Sequence, residues 1–217
     1  MIIQSLYTTL TILLLRTLYI LHSIHSSTIK PNSKRRTKPV KTLAVLGSGG
    51  HTTELLTLLT PLNPINYTPL ICIVASTDTT SLSRWKASGK RQPDGIHIIP
   101  RSREVGQSYV TSVVTTLYSF GVALWKVGKI RPDLVLCNGP GTCLPIVVVT
   151  FVLRVLGLCE GKVVFVESFC RVNSLSLTGK LLYPIVDRFL VHWEELYQDY
   201  PRSELISTFI QHGKKRD

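Results

Sequence analysis

Residues 43–59 read LAVLGSGGHTTELLTLL, an apolar run, three glycines within four positions, then apolar residues at helical spacing. That order spells a buried strand, a tight turn and a helix. Gly47, Gly49 and Gly50 let the backbone turn sharply and approach a ligand, with the amides that open the helix aimed at it. Such a nest, which takes in Ser48 and Thr52, suits a phosphate or diphosphate; the bland alternative is a turn that only closes strand onto helix. A dinucleotide fingerprint needs glycine where Thr52 stands, and a Walker A loop needs a Gly-Lys-Ser/Thr that does not follow. His51, at the helix start, can donate to an anion, accept a proton from a hydroxyl, or merely cap.

Outward from this unit, short apolar runs alternate with helical periods. The runs predict strands at 42–46, 70–75, 96–100, 134–137, 163–166 and 188–191. A long helix is predicted over 107–127, and 144–158, LPIVVVTFVLRVLGL, reads as a helix buried in the core or pressed by one face onto a bilayer. The pattern is that of an α/β domain with a single Rossmann-like, doubly wound parallel sheet. Five polar turns follow strands directly: GSGGHT from Gly47, STDTT from Ser76, PRSREVGQS from Pro100, NGPGTC from Asn138 and ESFCRVNS from Glu167. In open parallel sheets ligands bind outside the carboxyl ends of the strands, so these turns share one rim.

Length and charge bound the remainder. The 217 residues leave room for one sizeable domain after the apolar leader and a basic stretch. The formal charge of +12 is concentrated in Lys30, Lys34, Arg35, Arg36, Lys38 and Lys41 and at Lys214, Lys215 and Arg216. Residues 42–213 hold 15 Lys or Arg against 12 Asp or Glu, too even a balance for a nucleic-acid surface. Cys72, Cys137, Cys143, Cys159 and Cys170 are scattered through apolar runs without paired spacing, as reduced core residues of a cytosolic compartment would be, and no metal site is expected.

Residues 2–24, IIQSLYTTLTILLLRTLYILHSI, are long enough to cross a bilayer as a helix, with Arg16 the costly exception. That arginine has three ways to be carried: snorkelling, facing a partner, or lying in the interface. A basic cluster after the span places the body on the cytosolic side. The organisation expected is an anchor at 1–25, a basic linker at 26–41, a Rossmann-like domain at 42–202 and a tail at 203–217.

The other turns carry chemistry of their own. Asn138, Gly139 and Gly141 form a second strand-to-helix turn. Arg101, Arg103 and Glu104 put guanidinium forks suited to phosphate beside an orienting carboxylate, or form a solvated ion cluster. Glu167 follows a strand directly, where a carboxylate can bind sugar hydroxyls or act as a base, with Arg171 near enough in sequence to pair with it.

At these residues the chain resembles a known family. LGSGGHTTELL, PRSREVGQSY, LVLCNGPGTCLPI and FVESFCRVNSLSLTGKLLY, with HWEELYQDYP near the end, are similar to the membrane-anchor subunit of the eukaryotic UDP-N-acetylglucosamine transferase of dolichol-linked oligosaccharide assembly. The resemblance covers roughly residues 42–201 and implies half of a GT-B enzyme, the acceptor-side half. A separate soluble subunit would bring the donor half, as in the bacterial transferase of lipid-linked muropeptides, where both halves share one chain. It further implies inverting transfer to dolichyl diphosphate N-acetylglucosamine without an obligatory metal or cofactor. The place would be the cytosolic face of the endoplasmic reticulum or of the continuous nuclear envelope.

The resemblance implies roles as well. His51 and Glu167 would be base candidates, Gly47 to His51 would cradle the diphosphate or first sugar, Arg101 and Arg103 would neutralise charge, and Asn138 and Gly139 would shape the pocket. The tail SELISTFIQHGKKRD departs from the family's Tyr-x-Gly-x-hydrophobic ending. Rival readings are a self-sufficient nucleotide-binding enzyme and a non-catalytic membrane scaffold.

Overall fold

The computed structural model describes residues 1–26, 38–102, 107–139 and 141–206. Its strands are β1 (Thr42–Val45), β2 (Leu70–Ala75), β3 (Gly95–Ile99), β4 (Leu134–Asn138), β5 (Lys162–Val166), β6 (Arg188–Val191) and β7 (Ser203–Leu205). The first six lie within one residue of the predicted runs at each end. All pair in parallel, in the order β3-β2-β1-β4-β5-β6-β7. The chain steps from β1 out to β3, then returns to lay β4 on the other side of β1. That reversal opens a crevice at the carboxyl ends of β1 and β4, the place where such sheets bind ligands.

Helices α1 (Ile2–Ser26), α2 (Gly50–Leu59), α3 (Ser81–Ala87), α4 (Tyr109–Ile130), α5 (Cys143–Val155), α6 (Leu177–Leu182) and α7 (Glu194–Asp199) complete the chain. Strand alternation sorts the core into two layers. Leu43, Val45, Val135, Cys137, Val163 and Phe165 face one way, packed with Ala123 and Val127 of α4, Ile146 and Val147 of α5 and Leu182 of α6. Ala44, Leu46, Cys72 and Val74 face the other way, against Leu55 and Leu56 of α2 and Trp85 of α3. Coverage of this second face is uneven, since Val164 and Leu190 near the β7 edge stay half-buried. Four of the five cysteines are buried, and Cys170 is exposed.

Three departures from the sequence reading have local causes. Helix α5 stops at Val155 because Gly157 takes φ +75°. Its amide bonds the Arg154 carbonyl at 3.1 Å and the Leu158 amide bonds the Leu153 carbonyl at 2.8 Å, the paired ending a left-handed glycine permits. Helix α4 runs to Ile130, three residues past its predicted end. Strand β7 falls within residues assigned to the tail, so the sheet extends beyond residue 202.

Helix α1 spans 25 residues, about 37 Å at the usual rise, and is long and apolar enough to cross a membrane. Its C-terminal part docks on the body, where Ile20 and Ile24 are buried. Arg16 Nε donates to the Arg154 carbonyl at 3.3 Å, so its charge meets the negative end of α5. Arg154 itself turns inward to Asp187 at 2.9 Å, with both side chains nearly buried, which fits α5 as a core helix.

Candidate functional site at the β1/β4 crevice

His51 sits on the first turn of α2, directly after β1. Across the crevice, Asn138 ends β4, fully buried, and its Oδ1 lies 2.7 Å from His51 Nδ1. Asn138 Nδ2 donates to Glu54 Oε2 at 2.8 Å. Ser168, just past β5, donates from Oγ to Glu54 Oε1 at 3.4 Å. Gly139 packs against the imidazole with φ +66°, and a Cβ there would lie 2.6 Å from His51 Cε1. The imidazole is thus held at the switch point by Asn138 and packed against Gly139, with side-chain exposure of 31% left toward solvent.

Beside it the other loops line a small cleft of about 80 Å³ formed by Ser48, Thr77, Asp78, Arg101, Gly141 and Thr142 with Leu46 and Ala75. Helices α2 and α5 both begin here, capped in sequence by Gly49 and Thr142, and neither has a side-chain cap bond. Two positive helix ends suit a phosphate group, with α2 the main source of amides, since at α5 the Leu144 amide bonds the Gly141 carbonyl at 3.1 Å and Pro145 has none. Gly49 adopts φ +69°, and its carbonyl accepts from Arg84 at 3.1 Å. Asp78 accepts from the Ser81 hydroxyl and amide and from the Thr80 amide. Burial pushes its carboxyl up, and these bonds outweigh it, leaving Asp78 below the ordinary carboxylate range.

The candidates divide. His51, Ser48, Gly49, Gly50, Arg101, Asn138, Gly139 and Gly141 gather at the crevice or line its cleft. Thr52 does not face it: the residue is buried, its hydroxyl bonds the Gly47 carbonyl and Ser81, and it staples the glycine turn. Arg103 and Glu104 lie outside the described residues.

Glu167 is fully buried. Its Oε1 accepts from the Ser168 amide at 3.0 Å, and its Oε2 from the Ser176 amide at 2.9 Å and hydroxyl at 3.0 Å. It follows Val163 and Phe165 on the same side of β5 and so points beneath α6, not into the rim. Arg171 is exposed and makes no ion pair with Glu167. The residue that sequence reasoning missed is Glu54, and its signal was the His-x-x-Glu spacing that puts two side chains on one helical face.

Comparison with known proteins identifies the family and the fold. The family described as oligosaccharide biosynthesis protein Alg14 like matches residues 42–209. A Candida albicans protein, UDP-N-acetylglucosamine transferase subunit ALG14, is 41% identical over 205 residues, covering 94% of this chain and 93% of its own. The human protein of the same name is 41% identical over 178 residues, 77% of this chain and 82% of its own. The crystal structure of Acinetobacter baumannii MurG superposes with a TM-score of 0.54 at 17% identity, over 71% of this chain and 42% of that one. The fold is therefore a MurG-like Rossmann unit that matches 42% of that chain, with its crevice at a glycine turn. The chain belongs to the Alg14 family of oligosaccharide biosynthesis proteins.

Proposed function

We propose that this chain is the membrane-anchored, acceptor-side subunit of a two-subunit UDP-N-acetylglucosamine transferase that adds the second sugar to N-acetylglucosaminyl diphosphodolichol. The observation that carries this reading is the partly exposed His51 imidazole at the β1/β4 crevice, beside the starts of α2 and α5, in a chain whose relatives are named UDP-N-acetylglucosamine transferase subunits. The diphosphate lies against the amides of residues 47–51 and the start of α5, with Arg101 beside it. His51 Nε2 takes the proton of the attacking sugar hydroxyl. That oxygen bonds the donor's anomeric carbon from the face opposite UDP, the carbon–oxygen bond to UDP breaks, UDP carries the electron pair away, and the anomeric configuration inverts. Glu167 stands in this reading as the carboxylate that shapes the β5–α6 loop, not as a base.

The donor half is assigned to a separate soluble subunit, a reading supported by the relatives being named as transferase subunits. Residues 1–25 serve as anchor, 26–41 as basic linker and 42–202, with β7 added, as the acceptor domain. The domain faces the cytosol from the endoplasmic reticulum membrane in a single-pass orientation, a reading whose sidedness the basic cluster after the anchor supports. The outer face of α4 exposes Val113, Val114, Leu117, Tyr118 and Trp125, with Lys126 and Lys129 over the Trp125 ring, a composition that suits a headgroup boundary. The test is co-purification of the tagged chain from membranes with its soluble partner, followed by transfer from UDP-N-acetylglucosamine to the lipid acceptor. His51→Ala is expected to abolish transfer while the complex still assembles. Full activity of that variant would reduce the chain to a scaffold.

A further inference from the structure

Glu54 lies one helical turn after His51, and its carboxylate is 3.9 Å from His51 Nδ1, too far for a hydrogen bond. It reaches the imidazole only through Asn138. An ionised carboxylate accepts hydrogen bonds and never donates. Asn138 must therefore turn its amide nitrogen to Glu54, which leaves Oδ1 facing the ring. That oxygen also only accepts, so in the neutral ring the proton resides on Nδ1 and the lone pair on Nε2. The orientation of an amide and the tautomer of a histidine are fixed by their network, and this network has one solution because its terminal member is acceptor-only. Ser168 Oγ on the other carboxylate oxygen is consistent with that polarity.

We infer that Glu54 is a positioning residue that sets the tautomer of His51 through Asn138, keeping Nε2 free of its proton and able to receive one from a substrate hydroxyl. This rests on the base role proposed above for His51. The arrangement is a carboxylate, amide and imidazole in series. The amide passes on the direction of the hydrogen bond, and the carboxylate makes no hydrogen bond of its own to the imidazole. Around Glu54 the other titratable group is His192, just past β6, whose Nε2 has no hydrogen-bond partner among the described residues. His192 is the histidine whose signal must be told apart from that of His51.

The test uses the full chain and two substitutions. Glu54→Gln removes the acceptor-only end of the series: the new amide, unlike the carboxylate, can donate to Asn138, which is then free to flip and give its own N–H to His51, moving the proton to Nε2. In the complex with the soluble subunit, kcat is expected to fall about tenfold or more, within the range that general-base catalysis supplies, while KM for the lipid acceptor moves less than about threefold. Asn138→Asp alone is expected to be similarly impaired, because two carboxylates then abut. Combining Glu54→Gln with Asn138→Asp restores the polarity, since the introduced glutamine donates to the introduced aspartate, which accepts from Nδ1, and kcat is expected to recover at least tenfold over either single variant.

The second arm needs no activity. Histidine side-chain 15N spectra of the full chain alone, assigned with His51→Ala and His192→Ala, are expected to show the Nδ1–H form of His51, shifting to Nε2–H in Glu54→Gln. An Nε2–H tautomer in the unmodified chain, an unshifted spectrum in Glu54→Gln, or a double variant no better than the singles overturns the inference. Failure of the unmodified complex to transfer sugar would overturn the proposed function instead, and the spectra would still decide the tautomer.

Discussion

Gly139 tolerates no side chain for two separate reasons. Its φ of +66° places it in the left-handed region, and a Cβ would drive into the His51 ring. Gly49 has only the first constraint, since a Cβ there meets nothing within 4 Å. Gly139→Ala should therefore cost about 1–2 kcal/mol from the backbone and, by displacing the imidazole, lower transfer at least about tenfold. Gly49→Ala should show the thermal loss with a smaller loss of transfer, read by parallel melting curves and assays. His192 offers a pH test. Burial holds it below the ordinary value of 6.5, with the charge of Glu54 pulling the other way. A depressed value means that the unfolded chain protonates first, so the stabilisation is complete above pH 6.5 and is lost as pH falls below it. An NMR titration midpoint below 6.5, and a melting temperature that declines in acid less steeply in His192→Gln, are the expected results.

The β5–α6 connection is an element held by one buried carboxylate. Ser176 caps α6, its hydroxyl accepting from the Gly179 amide at 2.9 Å while donating to Glu167. A side chain at Gly179 would meet the same carboxylate. Glu167→Ala orphans the buried Ser168 amide and the part-buried Ser176 amide and should cost about 3 kcal/mol, or roughly 10 °C in melting temperature. Transfer per folded molecule is expected to stay within about threefold of the unmodified protein. Loss of transfer without loss of stability would return Glu167 to the chemistry. The junction of α5, β5 and the start of β6 is similar in kind: Asp187 binds Arg154 and Lys162 at 2.9 Å each and the Val163 amide at 2.9 Å. Arg154 thus belongs to a core polar network, which removes the tension of a charged residue in so apolar a helix.

On the scale of the molecule, the anchor and the body are joined more closely than a tether would join them. Residues 1–15 precede Arg16, a run of about 22 Å as helix, while Arg16, Ile20 and Ile24 are engaged with the domain. Removing residues 1–15 should release the protein from carbonate-washed membranes with its melting temperature preserved. Removal through Ser26 should also uncover the side of α5 and lower stability. Any remaining membrane association through the apolar, lysine-flanked face of α4 should weaken with salt. Transfer needs donor and acceptor held together, an effect worth about 7–11 kcal/mol. The purified chain alone is therefore expected to transfer nothing, and the soluble subunit to restore transfer. Turnover by the isolated chain would overturn the two-subunit reading.

The strands were legible because parallel strands buried on both faces must be largely apolar, as in β1, where all four residues are buried and Leu43, Ala44 and Val45 follow Thr42. The strand-to-helix turns were legible because glycines and polar clusters interrupt those runs at fixed places. From these the sequence by itself determined the α/β order, the rim and His51 as its focus. What joins Glu54, Asn138 and Ser168 around that histidine was not legible, since the partners lie 84 and 114 residues apart and meet only once β4 and β5 are laid beside β1. The inward turn of Glu167 was half legible: strand alternation puts it on the side of Phe165, but only the packing of α6 over that side makes the site buried. Local pattern decides where the chain is strand or helix, because backbone hydrogen bonding and burial repeat at fixed periods; which side chains share a crevice is decided by pairing between distant segments, which no local period encodes.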